Sequence, residues 1–205
     1  MKVRVKICGI RSMEAARASV KYGADFLGFN FVKSSRRYIE PLKAKEIIGE
    51  LTAETKVVGI FQNEKVEKIK KTIDLLKLDF VQLHGNEPPS YGQLTQYAGV
   101  IKTFSLAFGF ETKKVMEEME AYNVDFFLLD RENQGEGEMI HMEKAKEISE
   151  KFPIFLAGGL TVENVGERIR IIKPFAVDAA GGIETEGEED TDKIRQFIQN
   201  VKGVL

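Results

Sequence analysis

The chain has one cysteine, Cys8, among 205 residues. That excludes an intramolecular disulfide and any zinc site built on several thiolates, and a lone thiol fits a reducing compartment. Histidine is nearly as scarce, and His141, one of only two, has no His or Cys near it at metal-ligand spacing. Excess charge of one sign is missing too. Thirty Lys and Arg stand against 32 Asp and Glu, a net charge of -2, which gives no electrostatic reason to expect a nucleic-acid partner. No apolar run approaches a membrane span. The opening "MKVRVKICGIR" alternates charged and apolar residues, so it lacks the unbroken apolar core of a signal peptide. There is no linker or low-complexity tract, and residues 1–205 are expected to form one domain in the cytoplasm.

What is present is a repeating pattern. Short runs rich in Val, Ile and Phe alternate with longer amphipathic segments from end to end. The expected strands are 3–8, 25–31, 56–61, 79–84, 99–104, 125–130, 153–158 and 175–180. Helices are expected at 12–23, 41–51, 64–77, about 88–97, 111–122, 142–151, 161–173 and 190–202. Eight βα units of about 25 residues fit a closed parallel (β/α)₈ barrel; an open doubly wound sheet would normally stop at five or six strands. A barrel of this kind carries its site on the loops leaving the C-terminal ends of the strands.

Those ends are rich in chemistry. Strand one ends in Cys8-Gly9, strand two runs into the basic "VKSSRRY" at 32–38, strand four ends in "QLHG" at 82–85, and strand six ends in Asp130. Strand seven gives "AGGL" at 157–160 and strand eight "DAAGGIE" at 178–184. Each has a bland reading: a small buried hydrophobe, a structural histidine, a helix cap, a turn. Their convergence on one rim favours a site. Glycines after strands seven and eight let bare backbone N–H groups approach an anion, so a phosphorylated small-molecule substrate is expected. Cys8 can act as a base only as thiolate, which needs nearby positive charge. By strand alternation Lys6 shares its face. Lys6 then either supports the thiolate, is neutralised by Asp178, or extends to the lower rim.

The motifs "KICGI" (6–10), "GADFLGFNF" followed by "SSRRYI" (34–39), "VQLHG" (81–85), "LLD" (128–130), "AGGLTVENV" (157–165) and "KPFAVDAAGGIE" (173–184) resemble the phosphoribosylanthranilate isomerases, (β/α)₈ enzymes of tryptophan biosynthesis. The resemblance spans nearly the whole chain. It implies an Amadori rearrangement in which Asp130 is the general acid and Cys8 the general base, with no metal or organic cofactor. It also implies that Arg37 pairs with the anthranilate carboxylate, that His84 and Asp178 position the ligand, and that backbone at Gly158, Gly159, Gly181 and Gly182 holds the phosphate. The chain is expected to be a monomer or a homodimer.

Two departures stand out. In place of the family's GGTG-like loop the chain has "QGEGEMIHME" at 134–143, where Glu136 and Glu138 bring negative charge toward an anionic ligand and no Asp follows His141. After strand eight, Ala180 and Gly181 replace two serines, and losing two neutral hydrogen bonds weakens phosphate binding about tenfold. Two further readings stay open: a paralogous isomerase for another phosphorylated aminosugar, or a non-catalytic phosphosugar-binding barrel. The acidic "EGEED" at 186–190 reads as a solvated loop and helix start.

Overall fold

The computed structural model describes residues 2–51, 54–107, 109–131 and 141–204. Eight parallel strands close on themselves in chain order, as the βα count predicts and an open sheet would not. They are β1 (Arg4–Cys8), β2 (Phe26–Asn30), β3 (Lys56–Phe61), β4 (Phe80–Leu83), β5 (Gly99–Leu106), β6 (Phe126–Arg131), β7 (Ile154–Leu156) and β8 (Ala176–Ala179). Closure is made by β8 against β1, with Lys6 opposite Asp178. Helices α1 (Met13–Tyr22), α2 (Pro41–Ile48), α3 (Val66–Leu76), α4 (Thr112–Glu120), α5 (Met142–Lys151), α6 (Val165–Ile172) and α7 (Thr191–Lys202) follow every strand except β4. Among the described residues no helix is long and apolar enough to cross a membrane.

A repeated dipeptide builds the lower end. Asp25-Phe26, Asp79-Phe80 and Asp125-Phe126 open β2, β4 and β6. Each Asp accepts a 2.8 Å hydrogen bond from the start of a neighbouring strand, from Val5, Val57 and Val100 N–H respectively. This pins the register of three strand pairs near their N-terminal ends. The following Phe points to the other face, into the barrel. Phe26, Phe80 and Phe126 pack there with Phe155 and Phe175, with ring centroids 4.5 to 6.0 Å apart. The floor is thus an aromatic plug, which leaves the upper end for polar groups.

The helices obey their end signals. Ser12 caps α1 by accepting from Ala15 N–H at 3.2 Å, and Asp190 caps α7 by accepting from Asp192 and Lys193 N–H. The fourth unit departs from expectation: Pro89–Gln96 is a 3₁₀ helix. Pro88 and Pro89 supply no N–H, and Tyr91 and Tyr97 N–H bond three residues back, to Pro88 and Leu94 carbonyls. Two further boundaries differ: α2 stops at Ile48 and α6 begins only at Val165. The acidic stretch is also more than a solvated loop. Glu184–Thr185 (β9) and Glu188–Glu189 (β10) form a small antiparallel hairpin, while Asp190 does start the helix.

Candidate active site

Parallel strands put all their C-terminal ends at one rim, and the expected site residues gather there. Cys8 is the last residue of β1, Asp130 lies near the end of β6, His84 follows β4, and Asp178 sits within β8. Gly158 and Gly159 follow β7 in left-handed conformations, φ +81° and +85°. Gly181 and Gly182 belong to the 3₁₀ turn Gly181–Ile183 after β8. A Cβ on Gly182 would lie 1.9 Å from the Leu160 carbonyl oxygen, so the loops after β7 and β8 meet only because that residue is glycine.

The thiol is seated by a second close approach. Cys8 is opposite Gly28 in the β1–β2 register, and a Cβ there would stand 2.9 Å from Sγ. Beneath Cys8 on the same strand face, Lys6 is wholly buried and donates to both Asp178 oxygens at 3.0 Å. Of the three roles open to Lys6, reaching the lower rim is therefore excluded. It is paired with Asp178, and the charge that faces the thiol is that of a pair. Burial pushes the Cys8 thiol up to about 11, with the Asp178 charge adding and Lys6 and Arg37 opposing. A thiol raised this far is neutral at neutral pH, so of the readings open for Lys6 the pairing with Asp178 prevails over support of a thiolate.

Asp130 is buried as well, and burial raises its pKa against the opposing Arg131 N–H bond and the charges of Arg131, Lys6 and Arg37. That N–H donates to Oδ1 at 2.8 Å. Oδ2 faces His84 Nε2 at 3.7 Å. His84 is lowered by burial, with Lys6 and Lys102 adding, so its ring is neutral at pH 7. A carboxyl that burial makes hold its proton more tightly, beside a neutral imidazole, suits a proton donor.

Several participants escaped the sequence reading. Arg37 is not free: its Nε and Nη2 grip the Glu184 carboxylate at 2.5 and 2.9 Å, and Arg36 reaches the same carboxylate at 2.8 Å. Glu184 ends the "DAAGGIE" run, an acid among small neutral residues, which was the available signal. The hairpin beside it is anchored by Glu189, whose carboxylate accepts from Arg11 and Ser12 N–H. Arg131 follows Asp130 directly, and its guanidinium lies against Gly159, 3.3 Å from where a Cβ would be. Under the β4 loop, Lys102 and Glu87 form a buried ion pair at 3.0 Å that also ties down Gly85, next to His84. Of the departing loop 134–143, residues 134–140 lie outside the described residues, with Glu136 and Glu138 among them. His141 occupies the N-cap position of α5 without a side-chain capping bond.

Comparison with known proteins agrees with this geometry. The family model described as N-(5'phosphoribosyl)anthranilate (PRA) isomerase matches residues 5–200. An N-(5'-phosphoribosyl)anthranilate isomerase of Bacillus cereus is 40% identical over 208 residues, covering 98% of each chain. The crystal structure of phosphoribosyl anthranilate isomerase from Thermotoga maritima superposes with a TM-score of 0.90 at 37% identity, covering 98% of this chain and 99% of the other. A structure of such an isomerase in complex with reduced 1-(o-carboxyphenylamino)-1-deoxyribulose 5-phosphate gives 0.87 at 36% identity over the same shares. By sequence and by fold, the chain belongs to the N-(5'-phosphoribosyl)anthranilate isomerase family.

Proposed function

We propose that this chain converts N-(5'-phosphoribosyl)anthranilate to 1-(o-carboxyphenylamino)-1-deoxyribulose 5-phosphate in tryptophan biosynthesis, with Asp130 as acid and Cys8 as base. The observation that carries the assignment is that two buried ionisable groups, Cys8 at the end of β1 and Asp130 near the end of β6, lie at one barrel rim, each within the charge fields of Lys6 and Arg37. Asp130 gives its proton to the ribose ring oxygen as the bond from that oxygen to C1 breaks. The nitrogen lone pair forms the Schiff base. Cys8 as thiolate then takes the proton from C2, leaving an enolamine that tautomerises to the ketose. No proton is gained or lost overall.

Binding groups follow the three parts of the ligand. The phosphate is assigned to backbone at Gly158, Gly159, Gly181 and Gly182, with the Arg131 guanidinium beside Gly159 supplying charge where Ala180 and Gly181 offer no hydroxyl. The anthranilate carboxylate is assigned to Arg37, whose Nη1 makes no hydrogen bond with Glu184. Asp178, held by Lys6, and His84 position the sugar. One catalytic domain, a small phosphorylated substrate and the reducing cytoplasm complete the reading, since the chemistry depends on a free thiol.

The test is turnover followed by loss of substrate fluorescence. Cys8→Ser and Asp130→Asn each remove activity while leaving the circular dichroism spectrum and melting transition near those of the parent. Full activity in either variant overturns the role given to that residue.

A further inference from the structure

Gln82 lies on β4 two residues before His84, on the same strand face, and is only 1% exposed. Its Nε2 is 2.9 Å from His84 Nδ1, and Thr103 Oγ1 approaches the same ring nitrogen at 3.3 Å. Its Oε1 is buried without a hydrogen-bond partner among the described residues. A carboxamide nitrogen can only donate, so the ring nitrogen facing it must accept, and in a neutral imidazole the hydrogen is then on Nε2. The ring nitrogen left with the hydrogen is the one facing Asp130 Oδ2 at 3.7 Å. Catalytic pairs in unliganded sites commonly stand at such distances and tighten when substrate binds.

We infer that Gln82 is a positioning residue: it fixes His84 in the Nε2–H tautomer and so presents a hydrogen-bond donor to the Asp130 carboxylate. The inference rests on the acid role proposed for Asp130. Once Asp130 has given up its proton, a donor aimed at the new carboxylate stabilises it, so the transfer is easier than into an unpartnered pocket. His84 must stay neutral for this, because an imidazolium would hold Asp130 ionised before it could act. The charged groups around the ring are Lys6 from β1, Asp130 from β6, Asp178 from β8, Lys102 from β5 and Glu87 after β4, and burial with the two lysines keeps it neutral. Gln82 contributes what those charges cannot, the choice between the two ring nitrogens.

The chain has two histidines, so two-bond proton–nitrogen NMR correlations can read the His84 ring directly, with His141→Gln supplying the assignment. In the parent protein Nδ1 is expected to be bare and Nε2 to carry hydrogen. Gln82→Met, close in volume but without a donor, is expected to give a mixture of tautomers. It should also move the acid limb of the kcat profile and lower kcat about tenfold, with KM within about twofold. Gln82→Glu presents only acceptors, so it is expected to reverse the tautomer and raise the His84 pKa. Hydrogen on Nδ1 in the parent overturns the inference without any variant having to fold. An unchanged tautomer and pH profile in Gln82→Met also overturns it. A parent protein that binds but does not turn over phosphoribosylanthranilate refutes the proposed activity alone, and the ring nitrogens still decide the role of Gln82.

Discussion

Cys8 is placed where its chemistry is difficult. Burial first, and then the Asp178 charge, raise the thiol to about 11, whereas Asp130 is raised from a much lower starting point. The competent pair, thiolate with protonated Asp130, is therefore a minor microstate. Between the two pKa values its abundance does not change with pH, because each gain in thiolate is matched by a loss of protonated acid. A flat kcat/KM across the neutral range follows, falling below the lower pKa as thiolate becomes scarce and above the higher one as protonated acid does. The thiol can be read on its own, since no other cysteine competes. Alkylation by iodoacetamide in the absence of substrate is expected to accelerate about tenfold per pH unit from 7 to 9.5 without levelling, whereas an ordinary thiol levels near 8.5. Levelling in that interval would show that Lys6 and Arg37 outweigh burial. The places of Cys8 and Asp130 were legible in the sequence, because a strand ending in the sole cysteine and another ending in Asp are local patterns. Their protonation states were not, since those come from Lys6, Asp178 and Arg37 brought together by closure of β8 on β1.

At the scale of elements, the hairpin β9–β10 has a function its composition conceals. The acidic "EGEED" at 186–190 reads as a solvated loop and helix start, yet Glu189 is turned inward onto Arg11, and Glu184 just before it onto Arg37 and Arg36. The signs alternate because a basic loop after β2 faces an acidic hairpin after β8, two elements distant in sequence and adjacent to the same strand. Glu184 holds the Arg37 fork where space is tight, with Gly9 and Gly181 both packed against it. Glu184→Gln would set an amide N–H against the guanidinium and swing the fork away. A charge-assisted hydrogen bond contributes about 1.5 to 3 kcal/mol, so KM for the carboxylate-bearing substrate is expected to rise roughly tenfold or more, with kcat within about twofold. Steady-state kinetics check this; an unchanged KM would mean that Arg37 needs no such anchor. The 3₁₀ helix after β4 was not legible either: the prolines of "EPPSYG" stand at the N-cap and first helical position, where an α-helix needs no N–H, as α2 shows at Pro41, and the spacing of apolar residues pointed to an ordinary helix.

At the scale of the molecule, stability and chemistry are assigned to opposite ends of the barrel. The floor is phenylalanine and the rim is charged, so damage to one end should spare the other. Phe155 is wholly buried between Phe26, Phe126 and Phe175. Phe155→Ala is expected to cost about 3 to 5 kcal/mol and to lower the melting temperature by roughly 10 °C. At a temperature where the variant is still folded, kcat/KM should stay within about twofold of the parent. Thermal unfolding with activity measured in parallel tests the separation, and equal loss of both would refute it. Eight βα units, the cysteine, histidine and aspartate at strand ends, and the glycine pairs that receive the loops were all determined by the sequence, because each depends on periodicity or on residues adjacent in the chain. Only the tertiary structure decided that Lys6 pairs with Asp178, that Glu184 occupies Arg37, that Arg131 lies against Gly159 and that Gln82 faces the His84 ring. Across strands, those partners are fixed by barrel register and by the direction in which loops fold over the rim; even Gln82 and His84, two residues apart, gain their meaning from the Asp130 that closure brings to the far side of the ring.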